Sequence, residues 1–176
     1  MRPYRFIQII MALVCGLPCL AGLGHALEVS IPSATVTAGD AITVPVMIDS
    51  VDNLAGVKLV IQYDAQVLEF QKAAKGQKAG SLMHVVNSKN PGRVVVVMAG
   101  ARGIKGEAFP IVTLDFTAKP CSLESCPANL KIVEAQLMSD QLKDLDFSMQ
   151  SQSVMVVSPK EAAPAETKPE KKSDAS

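Results

Sequence analysis

From residue 27 onward, the chain consists largely of short segments in which apolar and polar residues alternate. The alternation is clearest at residues 27–31, 42–48, 57–63, 112–117 and 130–132. Successive side chains of a β-strand point to opposite faces, so a period of two is typical of a strand that is buried on one face only. The pattern therefore predicts strands that each turn one face to a core and the other to solvent.

Turn-forming residues separate most of these segments. Residues 37–40 lie between the first two segments, and residues 50–53 lie before the third. Asn90-Pro91-Gly92 places proline and glycine as a type II turn requires, which predicts a hairpin between the flanking strands. Many short strands with a turn every ten or so residues are typical of a sandwich or a barrel. The predicted fold class is therefore all-β.

Three features depart from simple alternation. Pro45 lies inside a strand pattern and cannot donate a ladder hydrogen bond, which predicts an edge or a bulge there. Residues 93–99 are apolar on both faces, so this strand is either buried on both sides or presents one face to a partner. Residues 72–80 are rich in Lys, Ala, Gln and Gly, and we expect a long exposed loop with at most one helical turn.

The two ends of the chain differ in kind from its middle. Residues 1–26 combine two early arginines, an apolar stretch and small residues before a cleavage position after Ala26, which is typical of a secretory signal peptide. The alternative is an uncleaved membrane anchor, because about 18 apolar residues can span a bilayer. Residues 159–176 contain only Pro, Ala, Lys, Glu, Thr, Ser and Asp, and we expect a disordered tail. Residues 27–158 then form one domain, exported to the periplasm or the medium.

Net charge argues against a nucleic-acid partner. The chain has 17 basic and 17 acidic residues, and cleavage after Ala26 removes Arg2 and Arg5, leaving 15 basic residues against 17 acidic ones. Binding to a phosphate backbone requires a concentrated positive field, which this composition does not supply. We therefore expect no nucleic acid among its partners, and contact with a membrane only through an uncleaved signal segment.

Two cysteines remain after cleavage, Cys121 and Cys126, separated by Ser-Leu-Glu-Ser. In an oxidising compartment the simplest outcome is a disulfide that closes this small loop. A metal site would need further Cys or His ligands, and the neighbouring sequence has none. We expect a disulfide and no bound metal.

The residues for catalysis are few. The expected mature chain keeps a single histidine, His84, inside a strand-like stretch, and it has no Gly-x-Ser-x-Gly elbow and no glycine-rich phosphate loop. Its acids lie mostly at turns, where carboxylates usually cap backbone amides. Tryptophan is absent, and few rings remain to stack on a sugar, so direct polysaccharide binding is disfavoured without being excluded. The sequence therefore predicts a non-enzyme that uses no cofactor.

Several blocks of sequence, in this order, resemble the cohesin domain family. They are Ala38-Gly39-Asp40 with residues 42–46, residues 54–64 with the following Val67-Leu68-Glu69-Phe70, Gly92-Arg93 with its valine run, residues 103–106, residues 112–116, and the closing segment 153–157. The resemblance covers nearly all of residues 28–157. It implies a two-sheet antiparallel β-sandwich with jelly-roll topology and about nine strands. It also implies a receptor for dockerins, which are small calcium-loaded helical modules.

The resemblance also implies where a partner would bind. In cohesins, the dockerin contacts strands 3, 5, 6 and 8, which correspond here to residues 56–63, 82–86, 93–99 and 130–137. The candidate partner-binding residues are Lys58, Val60, Gln62, His84, Arg93, Val95 and Val97. Some cohesins carry Asn and Asp on the third strand where this chain has Gly56 and Lys58, so polar contacts to a dockerin would be lost or replaced.

The leading hypothesis is therefore a secreted protein-binding module that docks a dockerin-like or other extracellular protein, with a link to polysaccharide breakdown. A second hypothesis is a carbohydrate-binding module of the same fold. A third is a structural component of a cell-envelope or secretion assembly, in which the partner is an envelope protein. Exposed aromatic rings would favour the second hypothesis, and retention in the membrane fraction would favour the third.

Overall fold

The computed structural model describes residues 27–158, which form ten strands and one 3₁₀ turn, Gln77–Ala79. Among these residues no helix has the length and apolar character needed to cross a bilayer. The strands are β1 (Leu27–Ile31), β2 (Ala34–Thr37), β3 (Ala41–Gln62), β4 (Leu68–Lys75), β5 (Met83–Asn87), β6 (Arg93–Ala118), β7 (Ser125–Pro127), β8 (Lys131–Met138), β9 (Phe147–Ser151) and β10 (Val154–Val157).

Two long strands, β3 and β6, pair along their whole length and connect the two halves of the fold. Residues 56–62 of β3 pair with residues 93–99 of β6, and β5 and β8 flank this pair. The other half joins residues 41–48 of β3 to β1 and the end of β6 to β4. The pairing of β3 with β6 shifts register between the two halves. Strands that bend at such irregularities can pass from one layer of a sandwich to the other. The buried side chains of both halves form one core.

A three-stranded sheet, β2-β10-β7, closes the sandwich and contributes Val36, Val154 and Val156 to the core. The all-β sandwich that the sequence predicts is therefore confirmed, with ten strands where about nine were expected. Most pairs are antiparallel. Two pairs are parallel, β1 with β9 and β2 with β10, so strands from the two ends of the domain lie side by side.

The predicted hairpin at Asn90-Pro91-Gly92 is confirmed. It joins β5 to β6, the amide of Arg93 donates a hydrogen bond to the carbonyl of Asn90, and Gly92 has a φ of 83°. A positive φ at the third position is what a type II turn demands, and glycine adopts it without a steric cost. Pro45 is also followed by the predicted irregularity, because the pairing of β3 with β6 shifts register between Val46 and Met47.

Two local predictions are wrong. Residues 50–53 do not form a turn, because β3 continues through them beside residues 104–107 of β6, and the pair bends together. Residues 72–80 are not one long loop, because residues 68–75 form β4, which pairs with β6, and only Gln77–Ala79 makes the short helical turn. Ala73 and Ala74 weaken the alternation of β4, so the pairing that makes it a strand is not visible in its own sequence.

Cys121 and Cys126 are joined in a disulfide, as predicted, with their Cα atoms 6.3 Å apart. The bridge closes a small loop that leads into β7, and β7 pairs with the last strand, β10. The backbone and hydroxyl of Ser158 donate hydrogen bonds to carbonyl oxygens of this loop at Glu124 and Leu123. The disulfide therefore stabilises the loop on which the end of the domain rests.

Replacing both cysteines, in Cys121→Ser/Cys126→Ser, is expected to lower the free energy of unfolding by about 2 kcal/mol, because a short closed loop removes little chain entropy from the unfolded state. Urea denaturation of the variant and of the parent, with and without reductant, measures this. Reductant should destabilise the parent by the same amount and leave the variant unchanged. Equal stability of parent and variant without reductant would contradict the prediction.

Candidate partner-binding face

The half of the sandwich made by β5, β6, β3 and β8 has one side in the core and one side toward solvent. Val57, Leu59, Val96 and Met98 point inward and are buried, so the residues that alternate with them point outward. We call this outward surface the outer face. Its rows, read from β5 across to β8, are Met83, Ala99, Gly56 and Met138; Val85, Val97, Lys58 and Gln136; Asn87, Val95, Val60 and Glu134; and, beyond the end of β5, Arg93, Gln62 and Lys131.

The outer face carries apolar side chains that a solvated sheet face usually lacks. Val97, near its centre, is 43% exposed, and on the neighbouring strand Val85 is 67% and Met83 is 79% exposed. Polar or charged residues would be expected at these positions if the face served only to meet water. Contiguous exposed apolar surface on a soluble domain is instead typical of an interaction site.

One end of the outer face forms an apolar depression of about 550 Å³. Gly56 and Ala99 form part of its lining and leave it open, because neither carries a long side chain. Met138 and Leu142 lie around it, and Leu142 is 80% exposed. A Cβ atom added at Gly56 would lie 3.2 Å from the Cβ of Met138, so a larger residue there would narrow the depression. The depression can take an apolar side chain of a partner.

The opposite end of the outer face is polar and basic. Arg93, Gln62 and Lys131 form its last row, and all three are exposed. A smaller cleft of about 210 Å³ is lined there by Arg93 with Asn87 and Asn90. Within residues 27–158 neither Arg93 nor Lys131 makes an ion pair, so both can bind an acidic group of a partner.

Between the two ends, Lys58 and Glu134 form an ion pair on neighbouring strands. The Lys58 ammonium donates a hydrogen bond to the Glu134 carboxylate and, with a smaller contribution from Arg93, lowers the pKa of that carboxyl below its ordinary value of 4.5. Both side chains are largely exposed, at 42% and 51%, so solvent screens the pair and its contribution to stability is small. Its role on this face is to fix the position of Lys58.

Replacing Lys58 by methionine is expected to raise the pKa of Glu134 toward its ordinary value. A carboxyl with a lowered folded-state pKa stabilises the protein above its unfolded-state pKa, and this contribution is lost as the pH falls through the folded-state pKa. The parent should therefore keep the ion pair to a lower pH than an isolated glutamate would allow. An NMR titration of the Glu134 carboxyl carbon measures both pKa values, and equal values in parent and Lys58→Met would contradict this interpretation.

The structure brings together most of the residues that the sequence predicts for partner binding. Lys58, Gln62, Arg93, Val95 and Val97 all lie on the outer face. The four predicted strand segments also lie side by side, because the strands at 56–62, 83–87, 93–99 and 131–138 are neighbours in one sheet.

Two predicted residues are placed differently. Val60 belongs to the outer face by register but is only 1% exposed, because the surrounding side chains cover it. His84 pairs with Met98, whose side chain points into the core, so His84 points to that same inner side of the sheet and away from the outer face. It is exposed there because β5 is at the edge of the sheet. The assignment of His84 to the binding surface is therefore not supported by its position.

Sequence reasoning missed the most exposed part of the outer face. Met83 and Val85 could have been found from alternation alone, since they flank the inward position of His84 on a predicted strand. Met138 follows the same rule at the end of β8. Leu142 lies on the connection after β8 with a φ of 59°, and no periodicity marks it. Its place beside the depression follows only from the folded chain.

Other kinds of site find little support in the part of the chain that the structure describes. No cluster of three or more His, Cys, Asp or Glu side chains there could hold a metal ion. The five aromatic side chains of residues 27–158 are buried or half-buried, and Tyr63 and Phe70 pack edge-on against Phe116. No aromatic ring in this range forms an exposed platform for a sugar.

These features define a β-sandwich with a partly apolar sheet face, a class of architecture suited to binding another macromolecule. The model of the cohesin domain family matches residues 27–156. The chain therefore belongs to the cohesin family, which confirms the resemblance read from the sequence. No curated protein is similar to it in sequence.

Solved cohesin structures share the fold at low sequence identity. A non-cellulosomal cohesin from Archaeoglobus fulgidus is 18% identical, with a TM-score of 0.63 over 76% of this chain and 91% of that one. The cohesin of a type I cohesin–dockerin complex from Clostridium thermocellum is 16% identical, with a TM-score of 0.65 over 76% and 95%. A cohesin module from a family 33 glycoside hydrolase of Clostridium perfringens is 17% identical, with a TM-score of 0.63 over 76% and 98%.

Proposed function

We propose that the protein is a receptor module that binds a dockerin-type protein through the outer face. One observation carries this proposal. Of the seven large apolar side chains that are exposed in residues 27–158, four lie on or beside this one face, namely Met83, Val85, Val97 and Leu142. An interface needs such a cluster at its centre, because apolar anchors that lose water on docking supply most of the binding energy.

The polar groups of the outer face complement its apolar part. Arg93 and Lys131 at one end supply unpaired positive charge, and Lys58 is held in place by Glu134. Charged groups at the rim of an interface set orientation and association rate more than affinity. A partner would therefore insert an apolar side chain at the depression and place acidic or polar groups toward Arg93.

Family membership supports a dockerin as the partner. Related cohesins from Clostridium thermocellum and Clostridium acetobutylicum form complexes with dockerins. One solved complex contains a dockerin named Cel5, and another cohesin module belongs to a glycoside hydrolase. We therefore propose that the partner connects this module to an enzyme of polysaccharide breakdown. The chain itself would perform no chemistry.

The experiment is a calorimetric titration of the chain from Leu27 with dockerin modules encoded by the producing organism, recognised by their paired calcium-loop repeats. We expect one-to-one binding with a Kd of about 1 μM or tighter, corresponding to about 8 kcal/mol. Chelation of calcium should abolish the binding, because an unfolded dockerin cannot present its helices. Absence of binding to every such dockerin, in the presence of calcium, would overturn the proposal.

We also propose that the chain is exported and loses residues 1–26, which lie outside the described residues. The disulfide between Cys121 and Cys126 supports this proposal, since structural disulfides persist mainly in oxidising compartments. The intact mass of protein recovered from the periplasm and the medium should correspond to a chain that begins at Leu27. An uncleaved chain in the membrane fraction would favour the anchor instead.

A further inference from the structure

Strand β5 is an open edge of the sheet that carries the outer face. Among the described strands it pairs only with β6, and no backbone hydrogen bond outside that ladder involves residues 83–87. Alternate N–H and C=O groups of the strand therefore face away from β6 with no partner within the described residues. Such an edge is a template onto which another strand can add.

Two of the other edges of the large sheet carry charges that oppose strand addition, and β5 does not. The edge strand β4 contains Glu69, Lys72 and Lys75, and β8 contains Lys131 and Glu134. The strand β9 is uncharged, but its exposed residues are mainly serine and glutamine. The sequence of β5, Met-His-Val-Val-Asn, contains no Lys, Glu, Asp, Pro or Gly. The usual protection of an edge by charge, proline or a bulge is missing from β5.

We infer that β5 pairs with β5 of a second copy of this chain, antiparallel about a two-fold axis at Val85. In this register Val85 lies opposite Val85 of the second copy, Met83 lies opposite Asn87, and His84 lies opposite Val86. Pairing of two identical strands often places like charges opposite each other, which destabilises the pair. No like charges meet in this register. The first charged residue after the strand, Lys89, would lie opposite the uncharged Ser81.

Self-pairing also accounts for the exposure of β5. Met83 and Val85 are 79% and 67% exposed on the outer face. In the pair, Val85 would contact Val85 of the second copy directly, and Met83 would lie diagonally from that valine. Cross-strand pairs of apolar residues stabilise paired strands modestly. With only five residues in the strand, the interface is small, and we expect a reversible dimer with a Kd on the order of 100 μM.

The dimer would change what the receptor can do. Pairing through β5 joins two sheets edge to edge, so the two outer faces lie side by side in one continuous surface. A dimer would thereby present two partner-binding faces on one surface. Two linked sites bind a divalent target more tightly than either site alone, because the second binding event becomes intramolecular. The gain depends on the effective concentration, which the spacing of the two sites determines. This consequence rests on the proposed function, whereas the pairing of β5 does not.

Sedimentation equilibrium of the exported chain, over concentrations around the expected Kd and without any partner, tests the inference. The parent should show a monomer–dimer equilibrium. Val85→Lys places two ammonium groups together at the axis and should weaken dimerisation at least tenfold. Leu142→Lys is the matched control, because Leu142 is equally apolar and 80% exposed but lies outside β5, and it should dimerise as the parent does.

A cross-linking variant tests the register directly. Residues directly opposite each other in an antiparallel pair have Cα atoms about 4.5–5.5 Å apart, within the range that a disulfide spans. Val85→Cys should therefore oxidise to a covalent dimer that keeps the circular dichroism and Tm of the parent, whereas Leu142→Cys should not. A parent that stays monomeric at concentrations well above the expected Kd, or a Val85→Lys variant that dimerises normally, would overturn the inference. Dockerin binding by a monomer would then leave the proposed function intact.

Discussion

Replacing Val97 by lysine is expected to weaken partner binding by at least about 30-fold, which corresponds to about 2 kcal/mol. Val97 lies near the centre of the outer face, lines the apolar depression and is 43% exposed. A lysine side chain there would reach into the depression, stand beside Lys58 and lose its hydration when a partner docks. An unpaired charge in a desolvated interface costs several times more than the apolar contact that it replaces.

Met149→Lys provides the matched control for this variant. Met149 is 44% exposed and lies on β9, which belongs to the other half of the sandwich, so the same substitution there adds the same charge away from the outer face. A calorimetric titration with a dockerin that binds the parent should give the same affinity for Met149→Lys as for the parent. Both variants should keep the Tm of the parent within a few degrees. Parent-like affinity in Val97→Lys would show that the partner does not contact the centre of this face.

Replacing Phe116 by alanine is expected to lower the free energy of unfolding by about 3–5 kcal/mol. Phe116 is completely buried, and its ring packs edge-on against those of Tyr63 and Phe70, with centroids 5.1 and 5.7 Å away. Truncation removes a large apolar surface and leaves a cavity that the surrounding strands of the sandwich cannot close. Phe70 lies on β4, Phe116 lies near the end of β6 and Tyr63 directly follows β3, so the loss affects the core where these strands meet.

Urea denaturation, followed by circular dichroism, measures the effect of Phe116→Ala. Phe147→Ala is its control, because Phe147 is half-buried and packs at the margin of the core. The control should lose clearly less stability. If Phe116→Ala cost under about 1 kcal/mol, the ring would not be in a closely packed core. Under conditions where it is folded, Phe116→Ala should bind the dockerin with nearly the affinity of the parent. The effect of the substitution on stability is then distinguished from an effect on binding.

Strands and their buried positions could be predicted best from the sequence where one face of the strand is buried and the other is solvated. Val57, Leu59 and Ile61 recur at every second position, and the structure buries all three as expected. The hairpin at residues 90–92 could also be predicted, since its geometry requires a particular residue at each position. Both signals are local, and neither depends on which strand lies next to the segment.

The errors arose where burial or pairing depends on neighbours. Val60 has the outward phase of its strand, but cross-strand side chains cover it, so alternation alone overestimates its exposure. Residues 50–53 look like a turn but continue β3, because β6 runs beside them and supplies hydrogen-bond partners. Leu142 reaches the apolar depression from a connection that has no periodic signal. Tertiary pairing decides such cases, and a single sequence carries no direct record of it.

The central claim is that the outer face is the working surface of this cohesin. The most direct test is a methyl NMR spectrum of the valine-labelled chain, recorded with and without a bound dockerin. We predict that Val85, Val95 and Val97 show the largest changes, while Val36 and Val156 of the three-stranded sheet show little. Large changes confined to the valines of the three-stranded sheet, with the valines of β5 and of residues 93–99 unaffected, would contradict the claim.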